Sequence, residues 1–141
     1  MAEVIVDTSA LLAFFDASEP DHAAVSEVIR AANGPLIISP FVIAELDYLV
    51  TTRHGVDAEL AVLDQLAGGA WQLVSFGVAD MKEARSIIAS YHDQEIGVAD
   101  ASNVVLAQRH RTRTILTLDR KHFAVLRSST GDPFTVLPEH R

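Results

Sequence analysis

The sequence predicts an α/β fold: a mostly parallel sheet of four to five strands, enclosed by helices as three α/β/α layers. Short apolar, β-branched runs alternate with longer stretches of helical period, the pattern of parallel strands joined by helical crossovers. The 141 residues suit one domain, since domains cluster at about 100–150 residues. No linker, low-complexity tract or internal repeat divides them, so residues 1–141 are expected to fold together. A chain of this length buries roughly two-thirds of its unfolded surface and needs no covalent staple. It has no cysteine, which excludes disulfide frameworks, thiolate zinc sites, iron–sulfur clusters and cysteine nucleophiles.

The elements follow in order. Val4-Ile5-Val6 is a buried strand ending at Asp7, and Thr8-Ser9 can cap a short helix through Leu11, Leu12, Phe14 and Phe15. Pro20 suits the first turn of a second helix, which runs to about Ala32 before Asn33-Gly34-Pro35 breaks it. Leu36-Ile37-Ile38 is the second strand. Ser39-Pro40 supplies an N-cap and an N1 proline for a helix ending near Gly55, and Asp57 caps another that stops at Gly68-Gly69. Trp71-Gln72-Leu73-Val74 is the third strand, followed by a helix over 79–91 and one from Gly97 to about His110. Thr114-Ile115-Leu116-Thr117-Leu118 is the fourth strand, ending at Asp119, and Phe134-Thr135-Val136 adds an edge strand. An extra helix is expected in two of the crossovers.

The formal net charge is −8, which argues against a nucleic-acid partner because phosphate binding needs a basic footprint. The charge is uneven, however. Residues 1–70 hold 11 acids and 2 bases, while residues 71–141 hold 8 acids and 9 bases. Arg109, Arg111, Arg113, Arg120 and Lys121 fall in a stretch whose only acid is Asp119. They are candidate phosphate contacts, with a solvated helix end and loop as the alternative. Met1-Ala2-Glu3 carries an acid where a signal peptide would be positive, and no apolar run approaches the roughly 20 residues that span a bilayer. The expectation is a soluble cytoplasmic protein with no membrane partner.

In open parallel sheets, sites form at the carboxyl ends of the strands. Two strands here end in aspartate, Asp7 and Asp119, and central strands would bring both into one crevice. Either aspartate alone could equally be a helix cap. Glu45 has Phe41, Val42, Tyr48 and Leu49 as its helical neighbours, and a carboxylate on an apolar stripe needs a partner, either a metal ion or Arg53. Asp47 lies about 200° around the same helix and reads as a solvated surface acid. Asp100 falls in the first turn after Gly97, where the helix dipole also favours acids. Asn103 shares its face and could orient a carboxylate or a ligand water. Thr8 and Ser9 offer hydroxyls at a helix N-terminus, for capping or for an anion. His22, His54, His92, His110, His122 and His140 show no His-x-x-x-His spacing, and no phosphate loop or Gly-x-Ser-x-Gly elbow is present. What remains is four acids, Asp7, Glu45, Asp100 and Asp119, with no base obviously placed against them. Clustered carboxylates are tolerable when they hold a hard divalent cation, Mg2+ or Mn2+, whose common use is phosphodiester hydrolysis.

These residues resemble a known family. Asp7-Thr8-Ser9 after a short hydrophobic strand is similar to the opening motif of PIN-domain ribonucleases. Glu45 in Ala44-Glu45-Leu46 resembles their second motif and Asp100 their third. Thr117-Leu118-Asp119-Arg120-Lys121-His122-Phe123 resembles their fourth. The ordered set covers nearly the whole chain. It implies a PIN-like domain of the kind found in VapC-type toxins of type II toxin–antitoxin pairs. Such a toxin is a Mg2+-dependent endoribonuclease on structured RNA (tRNA or a ribosomal RNA loop), a homodimer, and silenced by a cognate VapB-like antitoxin. The resemblance implies Asp7, Asp100 and Asp119 as metal-facing carboxylates, with Glu45 acting through water or at a second metal position. It also implies products with a 5′-phosphate and a 3′-hydroxyl.

Three other readings compete with this one. A non-catalytic, receiver-like Mg2+-binding module has this size and fold class, but it would want adjacent acids after the first strand and a lysine after a late one. Here Val6-Asp7-Thr8 holds one acid, and Lys121 lies two residues beyond Asp119. A haloacid-dehalogenase phosphatase needs Asp-x-Asp, and position 9 is Ser. A partner-binding α/β module whose acids serve only assembly is the remaining alternative.

Overall fold

A computed structural model describes residues 3–139; Met1, Ala2 and His140, cited above, lie outside the described residues. The sheet is built from β1 (Val4–Val6), β2 (Leu36–Ile38), β3 (Gln72–Leu73), β4 (Thr114–Leu116) and β5 (Thr135–Leu137). All pairings are parallel, in the order β3-β2-β1-β4-β5. Around it lie α1 (Thr8–Phe15), α2 (His22–Ala31), α3 (Pro40–His54), α4 (Val56–Leu66), α5 (Val78–Ser90), α6 (Val98–Arg109) and α7 (Arg120–Val125). A 3-10 turn at His92–Gln94 precedes α6.

Strand side chains alternate faces, and both faces are covered, so the central strands are apolar throughout. Val4, Val6, Leu36, Ile38 and Leu116 pack on one side against Leu11, Val25, Val42, Leu46 and Val62 of α1 to α4. Ile5, Ile37 and Ile115 pack on the other against Val104 and Leu106 of α6 and Phe123 of α7. Ala84 of α5 meets Ala101 and Val105 of α6 in a tight helix pair made possible by small residues. The chain moves outward from β1 to β3 over one face and returns to β4 over the other, as right-handed crossovers require. The order therefore reverses between β1 and β4, and the crevice belongs at their carboxyl ends. A receiver-type sheet has the order 2-1-3-4-5, whereas here β1 neighbours β2 and β4. That removes the receiver-like reading.

Several boundaries differ from expectation. Three crossovers, not two, carry paired helices. The N-cap of α1 is Asp7 rather than Thr8 or Ser9, and α2 starts at His22, two residues beyond Pro20. Ser39 does cap α3, its Oγ accepting from the Phe41 N–H at 3.1 Å with Pro40 in the first turn. Gly55, at φ 87°, ends α3 and starts α4, so the cap there is glycine and not Asp57. β4 stops at Leu116, because Thr117 to Asp119 turn toward α1 and α7. The six-residue α7 has too little length to show a helical period. The edge strand lies one residue later than read. No helix among the described residues is long and apolar enough to cross a membrane.

Candidate active site

Asp7 follows β1 directly and is 4% exposed. Its backbone N–H donates to the Leu116 carbonyl at 2.9 Å, fixing it beside β4. The carboxylate is held at both oxygens: Asn103 Nδ2 of α6 donates to Oδ1 at 3.0 Å, and Thr117 Oγ1 donates to Oδ2 at 2.7 Å. Thr117 Oγ1 also accepts from the Asp119 N–H at 3.0 Å and lies 3.2 Å from Ser9 Oγ. Ser9 Oγ accepts from the Leu118 N–H at 2.9 Å, so Ser9 pins the connector after β4 to α1. Ser9 is thereby a brace, while Thr8 is buried with its Oγ1 unpartnered.

The other two aspartates arrive on helix starts. Asp100 sits in the first turn of α6, and Asp119 caps α7, its Oδ1 accepting from the His122 N–H at 3.2 Å. The His122 ring folds back so that Nδ1 stands 2.8 Å from Asp119 Oδ2 and 3.5 Å from Asp100 Oδ2. One donor atom each from Asp100, Asp119 and His122 falls within 4.8 Å of the others. Below them, Ser102 Oγ lies 2.7 Å from Ser39 Oγ and donates to the Ala99 carbonyl at 2.6 Å, tying the start of α6 to that of α3.

Electrostatics report the crowding. The Asp100 carboxyl is pushed up to about 6, first by burial and then by the Asp7 and Asp119 charges, with His122 opposing. Burial also raises Asp7 against the opposing Thr117 hydrogen bond, and Glu45 and Asp119 add to the rise. The hydrogen bond to Asp119 is the main reason that His122 holds its proton more tightly than usual.

Glu45 was expected on a buried stripe, and it is exposed. The buried face of α3 is Val42, Leu46 and Val50, at i, i+4 and i+8, which leaves Glu45 at the flank and Tyr48 69% exposed. Arg53 pairs with Glu19 at 3.7 Å. Glu45 still reaches the crevice through its charge, which raises both Asp7 and Asp100. Asp47, read as a solvated acid, is half-buried and raises the Glu59 carboxyl through a hydrogen bond.

The five bases do not line this crevice together. Arg109 ends α6, donates to the Ser75 carbonyl at 2.8 Å and pairs with Asp80 at 3.3 Å. Arg113 pairs with Asp132 at 3.9 Å. Arg111 and Arg113 line a cavity of about 320 Å³ with Glu3, His110 and Thr135, before the amino end of β4. Asp119 lies past that strand's other end. Only Arg120, which donates to the Pro138 carbonyl, and the exposed Lys121 directly follow Asp119 in the chain, at the start of α7. As candidate phosphate contacts the five bases therefore do not act as one strip: β4 separates Arg109, Arg111 and Arg113 from Arg120 and Lys121.

His122 and Thr117 are the site residues that sequence reasoning passed over. The signal for His122 was its i,i+3 spacing from Asp119, the spacing of a cap box. Thr117 opens the segment that resembles the fourth PIN motif, but its hydrogen bond to Asp7 depends on the turn after β4.

The donor set suits a hard divalent cation. Asp100 and Asp119 offer carboxylate oxygens close enough to share an ion, while Asp7 adjoins them through its charge, with both its oxygens already hydrogen-bonded; the buried Asn103 Oδ1 and Thr8 Oγ1 lack partners. A family model described as the PIN domain matches residues 4–127. The chain belongs to the PIN-domain family. The matched span contains all four acids and every element from β1 through α7. This PIN domain is similar to the curated Ribonuclease VapC26 of Mycobacterium tuberculosis (strain H37Rv), 64% identical over 135 residues, covering 96% of this chain and 100% of that one. In fold it is similar to VapC20 of Mycobacterium tuberculosis, described as a sarcin-ricin loop cleaving toxin. The TM-score is 0.74 at 17% identity, over 79% of this chain and 86% of that one. It is also similar to DNA-bound VapBC from Salmonella typhimurium, with a TM-score of 0.71 at 16% identity, over 96% and 98% of the two chains.

Proposed function

We propose that this PIN domain is a divalent-metal-dependent endoribonuclease toxin of VapC type. It hydrolyses phosphodiester bonds in structured RNA, a tRNA or a ribosomal RNA loop, and is held inactive by a cognate VapB-like antitoxin. It works in the cytoplasm as a homodimer. The observation that carries this reading is the convergence of Asp7, Asp100 and Asp119 at the carboxyl ends of β1 and β4, with Asp7 and Asp100 both raised first by burial and then by neighbouring carboxylate charges, Asp119 among them. Family membership and the 64% identity to a named ribonuclease support the substrate class.

Asp7, Asp100 and Asp119 would hold Mg2+, or Mn2+, with Glu45 at the rim ordering water or completing a second position. Such a cation, when bound, activates water and offsets charge that builds on the phosphate. Asn103 and Thr117 aim the two Asp7 oxygens, and Ser9 keeps the β4 connector from moving away. Burial of Asp7 removes water that would otherwise screen its charge. Lys121 and Arg120 contact flanking phosphates, so the RNA path runs past α7 rather than across Arg109, Arg111 and Arg113.

The test is to incubate the purified protein with total cellular RNA, with Mg2+ or with chelator, and to map the new ends. Discrete 5′-phosphate ends that need Mg2+ and vanish for Asp7→Asn are expected. Cyclic 2′,3′-phosphate products, or cleavage that survives chelation, would overturn the reading.

A further inference from the structure

We propose that His122 is a metal ligand in this crevice. Its imidazole Nδ1 completes a mixed oxygen–nitrogen site with Asp100 and Asp119, and so selects a first-row transition divalent cation over Mg2+. The inference rests on the metal-dependent reading above and adds to it the class of cation.

The geometry points this way. Ligands in adjacent positions around a cation with bonds of about 2.1 Å are roughly 3 Å apart. His122 Nδ1 is 2.8 Å from Asp119 Oδ2 and 3.5 Å from Asp100 Oδ2, and the whole triangle fits within 4.8 Å. The two edges that meet at His122 Nδ1 have about the spacing of adjacent ligands, and a small shift of either carboxylate would close the third. The ring is also held there by the fold. The His122 N–H donates to Asp119 Oδ1 at the start of α7, so backbone and side chain are fixed by the same carboxylate. A second observation points to a ligand in the same crevice. Asn103 is fully buried and donates to Asp7 Oδ1, yet its own Oδ1 has no partner.

The donor chemistry then sets the preference. Among the described residues, no lysine or arginine pairs with Asp7, Asp100 or Asp119, and His122 is the nitrogen donor of the cluster. Mg2+ favours oxygen ligands and keeps its waters, while imidazole binds cations of the first transition row. A site of three carboxylates alone would leave Mg2+ well served. Adding the imidazole strengthens the competitor more than it strengthens Mg2+.

A histidine that only orients Asp119 by hydrogen bonding would look similar in the absence of metal, so the test must see the bond itself. The full chain, stripped with chelator, is titrated with Mn2+ and followed by electron paramagnetic resonance, with Mg2+ as competitor. Electron spin-echo modulation from directly bound 14N is expected, with Mn2+ held at least about tenfold tighter than Mg2+. His122→Gln keeps a hydrogen-bonding group near Asp119. It should abolish the nitrogen modulation and remove about tenfold of the Mn2+ preference, with Mg2+ affinity changed little. Mn2+ bound to the wild-type protein without nitrogen modulation overturns the inference and leaves the nuclease reading standing. A Mn2+ preference unchanged in His122→Gln does the same. Failure of both ions to bind overturns the metal-dependent reading and this inference together.

Discussion

At the amino ends of β1 and β4, acids lie beside basic side chains. His110 Nδ1 lies 2.8 Å from Glu3 Oε2, and Arg113 lies 3.9 Å from Asp132. Arg109, about 13 Å along α6 from Asp100 at 1.5 Å per residue, is taken up by Asp80 and the Ser75 carbonyl. At the carboxyl ends of the same two strands, Asp7, Asp100 and Asp119 crowd together with only His122 among them. Where the fold asks nothing of its charges it pairs them, and such exposed pairs contribute about 0–1 kcal/mol. Gathering like charges instead raises their pKa values and destabilises the folded, ionised state. A fold that carries that cost at one end and avoids it at the other marks the end where a cation would be most strongly favoured.

The largest effect should come from Asp7→Asn, which keeps the side-chain shape and removes the charge. RNA cleavage should fall at least about 10³-fold, worth roughly 4 kcal/mol of barrier, with circular dichroism unchanged. Asn103→Ala strips the Asp7 Oδ1 of its donor inside the core, and leaving a buried acceptor unpaired costs about 1–3 kcal/mol. Urea denaturation with chelator present should read that loss. The smallest effect should be at the other end, where Arg113→Gln shifts stability by less than about 1 kcal/mol and leaves cleavage unchanged. Lys121→Gln, by contrast, should flatten the dependence of log RNA affinity on log salt by about 0.7. If Arg113→Gln flattens it and Lys121→Gln does not, the RNA path crosses the amino end instead.

How far these two ends were legible follows from the range of the interactions. Asp7 and Asp119 could be read because each directly follows a short β-branched run, and parallel topology alone brings strand ends together. Asp100 could be read by its place after Gly97. Glu45 was misplaced because α3 carries apolar residues all round, and only packing selects Val42, Leu46 and Val50 as the inner face. The basic residues read as one strip because they are close in sequence, yet β4 runs between them and sets Arg113 and Arg120 at opposite ends. His122 was passed over because its second partner, Asp100, arrives on another helix, through the docking of α6 and α7 on the same face of the sheet.

Stability against pH in the presence of chelator sharpens the contrast further. Asp100 has a folded pKa raised from 3.8 to about 6, so between those values the folded state binds the extra proton. Its contribution is fully present below about pH 4 and is lost as pH climbs through about 6. The most direct measurement is therefore the melting temperature of wild-type protein and Asp100→Asn near pH 7.5, with chelator and with Mg2+. For the wild type, Mg2+ at a hundredfold excess over Kd should add about 2.7 kcal/mol. Asp100→Asn should melt higher than wild type in chelator, by the equivalent of about 1–2 kcal/mol after allowance for its partial exposure, and should lose most of the Mg2+ increment. An Asp100→Asn protein that melts lower in chelator and keeps the full Mg2+ increment would contradict the account, because the crowded carboxylates would then be neither strained nor holding the ion.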